Sequence, residues 1–304
     1  MIQCCCRLLL FFSLCAAVAD LRASEPKGAK QPADQLRVAA VQMRSSRDLD
    51  ANIRKIRKHL ERCARDGVRV VVFPECALTG YFDDVYMRAL SPETLVAAEQ
   101  KVAEACQKFD IYAVLGTPHR EQDKLFNSAV VISPQGKILA RYNKIQLAES
   151  WPAAGKDLVV VPIDGIPTSI IICHDERYPE LVRLPVLAGA RVIFYLSHES
   201  GLSAESKITP YRAQIQARAV ENTVYIAHAN APANPDATGS HGHSRLIAPD
   251  GNLLEEASVF GEDVLKATFV MNLATGRLAR QSVDRGPLGD WWRAGAARVR
   301  VIGE

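Results

Sequence analysis

The strongest constraint on this chain is its alternation of short β-branched runs with segments of helical periodicity. LRVAAVQM (36–43) and VRVVVF (68–73) are apolar almost throughout, the pattern of strands covered on both faces. Between them Ile53, Ile56, Leu60 and Cys63 recur three or four residues apart, so 48–65 shares one helix face. Asp48 or Asp50 is placed to cap its start, and Gly67 sits just past its end. A second helix is predicted over 91–108. Ser91 caps it, Pro92 takes the first helical position, and Leu95, Ala98, Val102 and Cys106 lie on one side. Three strand-like runs follow with no helix between them: IYAVLGT, LFNSAVVIS and KILARYNK. A Pro134-Gln135-Gly136 turn joins the last two into a hairpin. The second half repeats the style, with strands DLVVVPI, TSIIICH, RVIFYLS, NTVYIAHAN, SRLIAPDG and DVLKATF, and helices near 178–188 and 205–220. Alternation interrupted by hairpins implies α/β layers with mixed sheets, not a plain doubly wound sheet. No composition break divides residues 36–280, which read as one domain followed by a tail, 281–304.

The N-terminus reads differently. One positive charge, Arg7, precedes the apolar run Leu8–Ala19, and Ala17-Val18-Ala19 has the small-x-small form of a cleavage site. That is the pattern of a secretory signal, and the run is too short for an ordinary membrane span. Residues 1–19 are therefore expected to be removed, 20–35 to form a polar linker, and the mature protein to be secreted or periplasmic without stable membrane insertion. Cys4, Cys5, Cys6 and Cys15 would leave with the signal, and Cys63, Cys76, Cys106 and Cys173 would remain. Four cysteines in so large a domain do not make a disulfide scaffold. With 48% hydrophobic and 23% charged residues and a net charge of +3, the 304-residue chain has globular composition. It contains no long Lys/Arg block, which speaks against nucleic acid as a partner.

Three residues share an unusual context. Glu75, Lys144 and Cys173 each end a strand-like run, and strand ends present functional side chains in layered α/β folds. Taken singly, each has a bland explanation: a packed thiol and two solvated charges. Together they suffice for acyl transfer. A thiol needs a base, and a carboxylate in a dry cleft has its pKa raised enough to serve. A fixed ammonium, with a backbone N–H such as that of His174, can hold an oxyanion. His174 and His198, the latter following strand FYLS, are expected to contact substrate. His198-Glu199 lacks the HExxH spacing of a zinc protease. His241-Gly242-His243 lacks a third ligand and reads as a polar loop, so neither a metal nor another cofactor is expected.

On these residues the sequence resembles the nitrilase superfamily of carbon–nitrogen hydrolases. FPECALTGY (73–81), RYNKIQL (141–147) and CHDERYPELVRLPVLAGARVIF (173–194) are similar to its glutamate, lysine and cysteine motifs, with the key residues 69 and then 29 positions apart. RAVENTVYIAHAN (218–230) and GHSRLIAPDGNLL (242–254) extend the likeness. The resemblance implies an αββα sandwich, often paired in homo-oligomers. It implies Glu75 as general base, Lys144 as oxyanion stabiliser, Cys173 as nucleophile and Glu149 as a second, organising glutamate. His174 and Asp175 stand where nitrilases carry Trp and Glu, which points to the amidase and carbamoyl-hydrolase branches. The expected substrate is a small linear amide or N-carbamoyl compound that releases ammonia. The rival expectations are a nitrile hydrolase and a catalytically silent binding protein on the same fold.

Overall fold

The computed structural model describes residues 33–200, 208–284 and 299–303. The expected signal, most of the expected linker and much of the tail lie outside the described residues. In chain order the first half runs β1 (Gln35–Gln42), α1 (Leu49–Arg65), β2 (Val70–Val72), α2 (Asp84–Ala89), α3 (Pro92–Phe109), β3 (Tyr112–Glu121), β4 (Lys124–Ile132) and β5 (Ile138–Asn143). The second half runs β6 (Leu158–Ile163), β7 (Ile166–Ile172), α4 (Glu180–Leu187), β8 (Val192–Ser197), α5 (Ile208–Asn222) and β9 (Tyr225–Asn230). It ends with β10 (Arg245–Ile247), β11 (Leu253–Glu256), β12 (Asp263–Val270), α6 (Arg277–Asp284) and β13 (Val299–Val301).

These strands form two mixed sheets, ordered β12-β1-β2-β3-β4-β5 and β11-β10-β9-β8-β7-β6-β13. In the first, β1, β2 and β3 run parallel and the β3-β4-β5 meander antiparallel. In the second, β7, β8 and β9 are parallel. The period-2 pleat of β1 explains the layers. Val38 and Ala40 join Val70 and Val114 in a core shared with the apolar residues of the second sheet. Ala39 and Val41 turn the other way, onto Ile53, Ile56 and Leu60 of α1 and Val102 of α3. Leu181 and Val182 of α4 and Ile215 of α5 cover the second sheet. The result is the expected αββα sandwich. Each fully buried Val, Ile, Leu or Phe side chain in these layers contributes about 1.5–3 kcal/mol.

Both caps form as the sequence predicts: Asp48 accepts from Ala51 N at 2.9 Å and Ser91 from Thr94 N at 3.2 Å. The unexpected elements are α2, α6, β11 and β13. The first two are only one or two turns long, too short for a periodic signal. The strands are edges, with the burial of Leu253–Glu256 intermediate to exposed. An edge strand carries no continuous apolar run.

Candidate active site

β2 ends at Val72, three residues before Glu75. Phe73 N still donates to Val114 O at 2.9 Å, and then the chain leaves the sheet in a turn closed by Gly80 N donating to Cys76 O at 2.7 Å. Cys76, at φ 51°, lies in that turn. The turn rests on β3 at Gly116. A Cβ there would strike Pro74 O and lie within 2.7 Å of Cys76 N and 2.8 Å of Glu75 Cα. Gly116→Ala is therefore expected to cost about 1–3 kcal/mol, the range for overpacked interiors. Urea denaturation measures it, and an unchanged midpoint would show that the Glu75 turn yields freely.

Lys144 follows β5 directly, its N–H donating to Asn127 O at 2.8 Å. Its Nζ lies 2.9 Å from Glu75 Oε1 and 2.5 Å from Glu149 Oε1, with both of the Lys144 and Glu75 side chains wholly buried. Asn127 of β4 ties the two carboxylates together, donating to Glu75 Oε1 at 2.6 Å and Glu149 Oε1 at 3.1 Å. Burial pushes the Glu75 carboxyl up to about 7 against the pull of Lys144. Burial also opposes ionisation of Glu149, but Lys144 outweighs it and the net direction is down. Burial would strip Lys144 of its charge, yet Glu75 and its neighbours hold its pKa well above the ordinary value. Removing three charges from water is expensive, and such a cluster is weak as a source of stability. Perturbed carboxylates in a cleft are instead the mark of chemistry.

β7 stops at Ile172, and Cys173 opens a 3-10 turn, Cys173–Arg177, at φ 45°. The sequence places Cys173 as the last strand residue; a left-handed backbone cannot continue a strand and instead lifts the side chain out of the sheet. Among the four described cysteines it alone keeps part of its surface open. Burial of the thiol group, reinforced by Glu75, pushes its pKa well up despite Lys144. Asp175 fixes the turn. Its carboxylate accepts from Ile172 N at 3.0 Å, from Gln146 N at 2.8 Å and from Tyr142 OH at 2.7 Å, so one side chain secures the segments carrying both Cys173 and Lys144.

His198 lies between Cys173 and the Glu75 carboxylate. Its N–H donates to Glu75 Oε2 at 2.8 Å, and Cys173 Sγ stands 3.9 Å from its carbonyl oxygen. Its ring stacks on Tyr81 at 4.7 Å. Cys173, His174, His198, Arg177 and Tyr211 line a cavity of about 560 Å³. A neighbouring cavity of about 320 Å³ contains Glu75 and Phe82, and Tyr81, His198 and Gly239 wall both. The structure thus brings all six expected site residues to one place. Sequence reasoning missed Asn127 and the role of Asp175. Asn127 had a signal, a polar residue inside the apolar strand LFNSAVVIS. His241 lies in the expected polar loop before β10, where it is 1% exposed and 2.5 Å from Glu199 Oε2. Among the described residues no group of three His, Cys, Asp or Glu is placed to hold a metal, and no helix is long and apolar enough to cross a membrane.

The sequence model of the carbon–nitrogen hydrolases matches residues 37–277. The human omega-amidase is 27% identical over 251 residues, 76% of this chain and 89% of that protein. The deaminated glutathione amidase of Synechocystis is 30% identical over 239 residues, 72% of this chain and 86% of that one. A solved amidase of the nitrilase superfamily from Nesterenkonia shares the fold with TM-score 0.75 and 22% identity, over 86% of this chain and 98% of that chain.

Proposed function

This chain belongs to the carbon–nitrogen hydrolase family, and from that membership we propose that it hydrolyses a small linear amide or N-carbamoyl compound through a thioester on Cys173, releasing ammonia. The observation that carries the reading is the hydrogen-bonded cluster of Glu75, Lys144 and Glu149, joined through His198 to a half-open Cys173. The relatives support the substrate class by name. One is a 2-oxoglutaramate amidase from Bacillus subtilis, 29% identical. Another is a solved Nesterenkonia amidase variant that shows covalent addition of the acetamide moiety of fluoroacetamide at its active-site cysteine.

Cys173 Sγ attacks the carbonyl carbon while its proton passes to Glu75. A thiol with a raised pKa starts protonated, so transfer accompanies attack and no thiolate is stored beforehand. Lys144 and the His174 N–H hold the oxyanion. Glu75 then gives its proton to the departing nitrogen. The C–N bond breaks, ammonia leaves and a thioester remains. Water attacks the thioester with Glu75 again accepting a proton, and the returning thiolate regains that proton as the acid leaves. Glu149 is not a base in this scheme: its ionised carboxylate keeps Lys144 charged when Glu75 is protonated. An ammonia-release assay over primary amides, ureido acids and nitriles tests the assignment. Turnover of amides or ureido acids is expected. Release from nitriles alone, or from none of the three classes, would overturn it.

A further inference from the structure

Behind the reacting groups lies a second set of buried ionisable side chains that these steps do not use. Glu199 is 2% exposed and His241 is 1% exposed. Glu199 Oε2 lies 2.5 Å from His241 Nε2, and His241 Nδ1 lies 2.9 Å from Ser200 O. Nδ1, facing a carbonyl, donates its N–H to it, whereas Nε2 meets the carboxylate out of line for a hydrogen bond, so the contact with Glu199 is one of charge. Tyr195 of β8 donates to Glu199 Oε1 at 2.7 Å, and its hydroxyl oxygen lies 3.3 Å from Cys173 O. Glu199 N donates to Asn230 Oδ1 at 3.2 Å. The carboxylate and the backbone of Glu199 are therefore anchored on two strands, and the residue before it, His198, touches both Glu75 and Cys173.

We infer that the Glu199–His241 ion pair is a positioning device, which holds the His198 backbone so that its N–H stays on Glu75 and its carbonyl beside the Cys173 thiol. The inference rests on the reading of Cys173 as nucleophile and Glu75 as its base. Packing alone does not call for such a pair. Two buried charges cost more to desolvate than well-packed apolar side chains of the same volume, and here the pair faces a reacting carboxylate through one peptide unit. The electrostatics agree. Burial disfavours both charges, but His241 holds Glu199 down to about 2 and Glu199 in turn raises His241. His228 of β9, Arg245 of β10 and Glu176 of the Cys173 turn also act on Glu199 or are acted on by it. The charged neighbours of Glu75 itself are Lys144 and Glu149.

The consequence is a shift in the pH response of Cys173. A backbone N–H donating to a carboxylate favours its ionised form. Letting His198 drift would make Glu75 harder to ionise and delay activation of the thiol. The test is the rate of iodoacetamide alkylation at Cys173, followed by peptide mass spectrometry between pH 5 and pH 10, which needs no knowledge of the substrate. Wild-type reactivity is expected to rise with a midpoint near the Glu75 value of about 7. In His241→Ala the midpoint should move up, and alkylation at neutral pH should fall about fivefold, the effect at pH 7 of a one-unit shift in a base that titrates near 7. His241→Gln keeps a polar side chain of similar reach but carries no charge, and should show the same upward shift as His241→Ala. Glu199→Gln can keep the Tyr195 bond and its backbone N–H bond to Asn230 but lacks the charge. It should show the same upward shift and decides the matter should His241→Ala not fold. A wild-type profile in His241→Ala, His241→Gln or Glu199→Gln would overturn the inference. A profile unaltered by Glu75→Gln would instead overturn the Glu75–Cys173 reading beneath it.

Discussion

Cys173→Ala is expected to abolish hydrolysis, lowering turnover by about four to six orders of magnitude, the scale on which enzymes lose a covalent nucleophile. The fold should survive. Alanine removes only Sγ, whose nearest recorded polar contact is the 3.9 Å approach to His198 O, and the backbone at φ 45° is no harder for Ala than for Cys. Cys173→Gly separates chemistry from strain: it should be equally inactive yet relieved of a left-handed penalty of about 1 kcal/mol. The other described cysteines cannot substitute. Cys63 and Cys106 sit on the buried faces of α1 and α3, where burial pushes their thiols up to about 11 and about 12. Cys76 is wholly buried against Asn127. Mass spectrometry of enzyme quenched during turnover should therefore find a substrate-sized adduct on the Cys173 peptide. An adduct elsewhere, or a Cys173→Ala enzyme of normal rate, would end the proposed mechanism.

Glu75→Gln should reduce turnover by about 10²–10⁴-fold, the contribution of a general base, and remove the pH dependence that this carboxylate imposes. With the Glu75 pKa raised to about 7 by burial, the ionised, proton-accepting form gains as pH rises through that value. Wild-type activity should climb across the same window, and the variant should lack that limb. The stability effect has the opposite sign. A carboxyl whose folded-state pKa lies above its ordinary 4.5 binds its proton more tightly when folded. Its stabilising contribution is full below pH 4.5 and is lost as pH rises toward 7. Glu75→Gln should flatten that part of the stability–pH curve. Glutamine is also a poor mimic here. Glu75 Oε1 accepts from Lys144 and Asn127, and Oε2 accepts from His198 N. Either amide orientation turns an NH₂ onto a donor, so His198 loses its partner or Lys144 relies on Glu149 alone. Activity that rises through neutral pH in Glu75→Gln as it does in wild type would exclude Glu75 as the base.

Much of the architecture was readable because it is local. Helix-spaced apolar residues in 48–65, the Ser91-Pro92 start and the β-branched runs specify their own elements through pleat and pitch. Glu75, Lys144 and Cys173 stood out together because their motifs follow one another in order. Glu149 could be matched, but a match is not a contact: only folding shows it 2.5 Å from Lys144 Nζ. Elements of few residues, such as Asp84–Ala89 and Val299–Val301, carried no periodic signal.

The sequence by itself therefore determined the α/β layering, the strand and helix inventory of the core and the residues proposed as reactive, since each rests on spacing along one segment. Tertiary structure alone decided how those residues are held. Asn127 and Glu75 are 52 positions apart, Asp175 and Gln146 are 29 apart, and His198 and Glu75 are 123 apart. Contacts of that separation leave no periodic trace in the chain. The same holds for the backbone of Cys173: strand propensity carries the run to Ile172, and the Asp175 carboxylate, hydrogen-bonded to Tyr142 OH and the Gln146 and Ile172 N–H groups, anchors the turn that follows. His241 reads as part of a polar loop and lies in one, but its burial is not visible in the sequence. It is buried because Glu199, 42 residues earlier in the chain, supplies the opposite charge that makes its burial affordable.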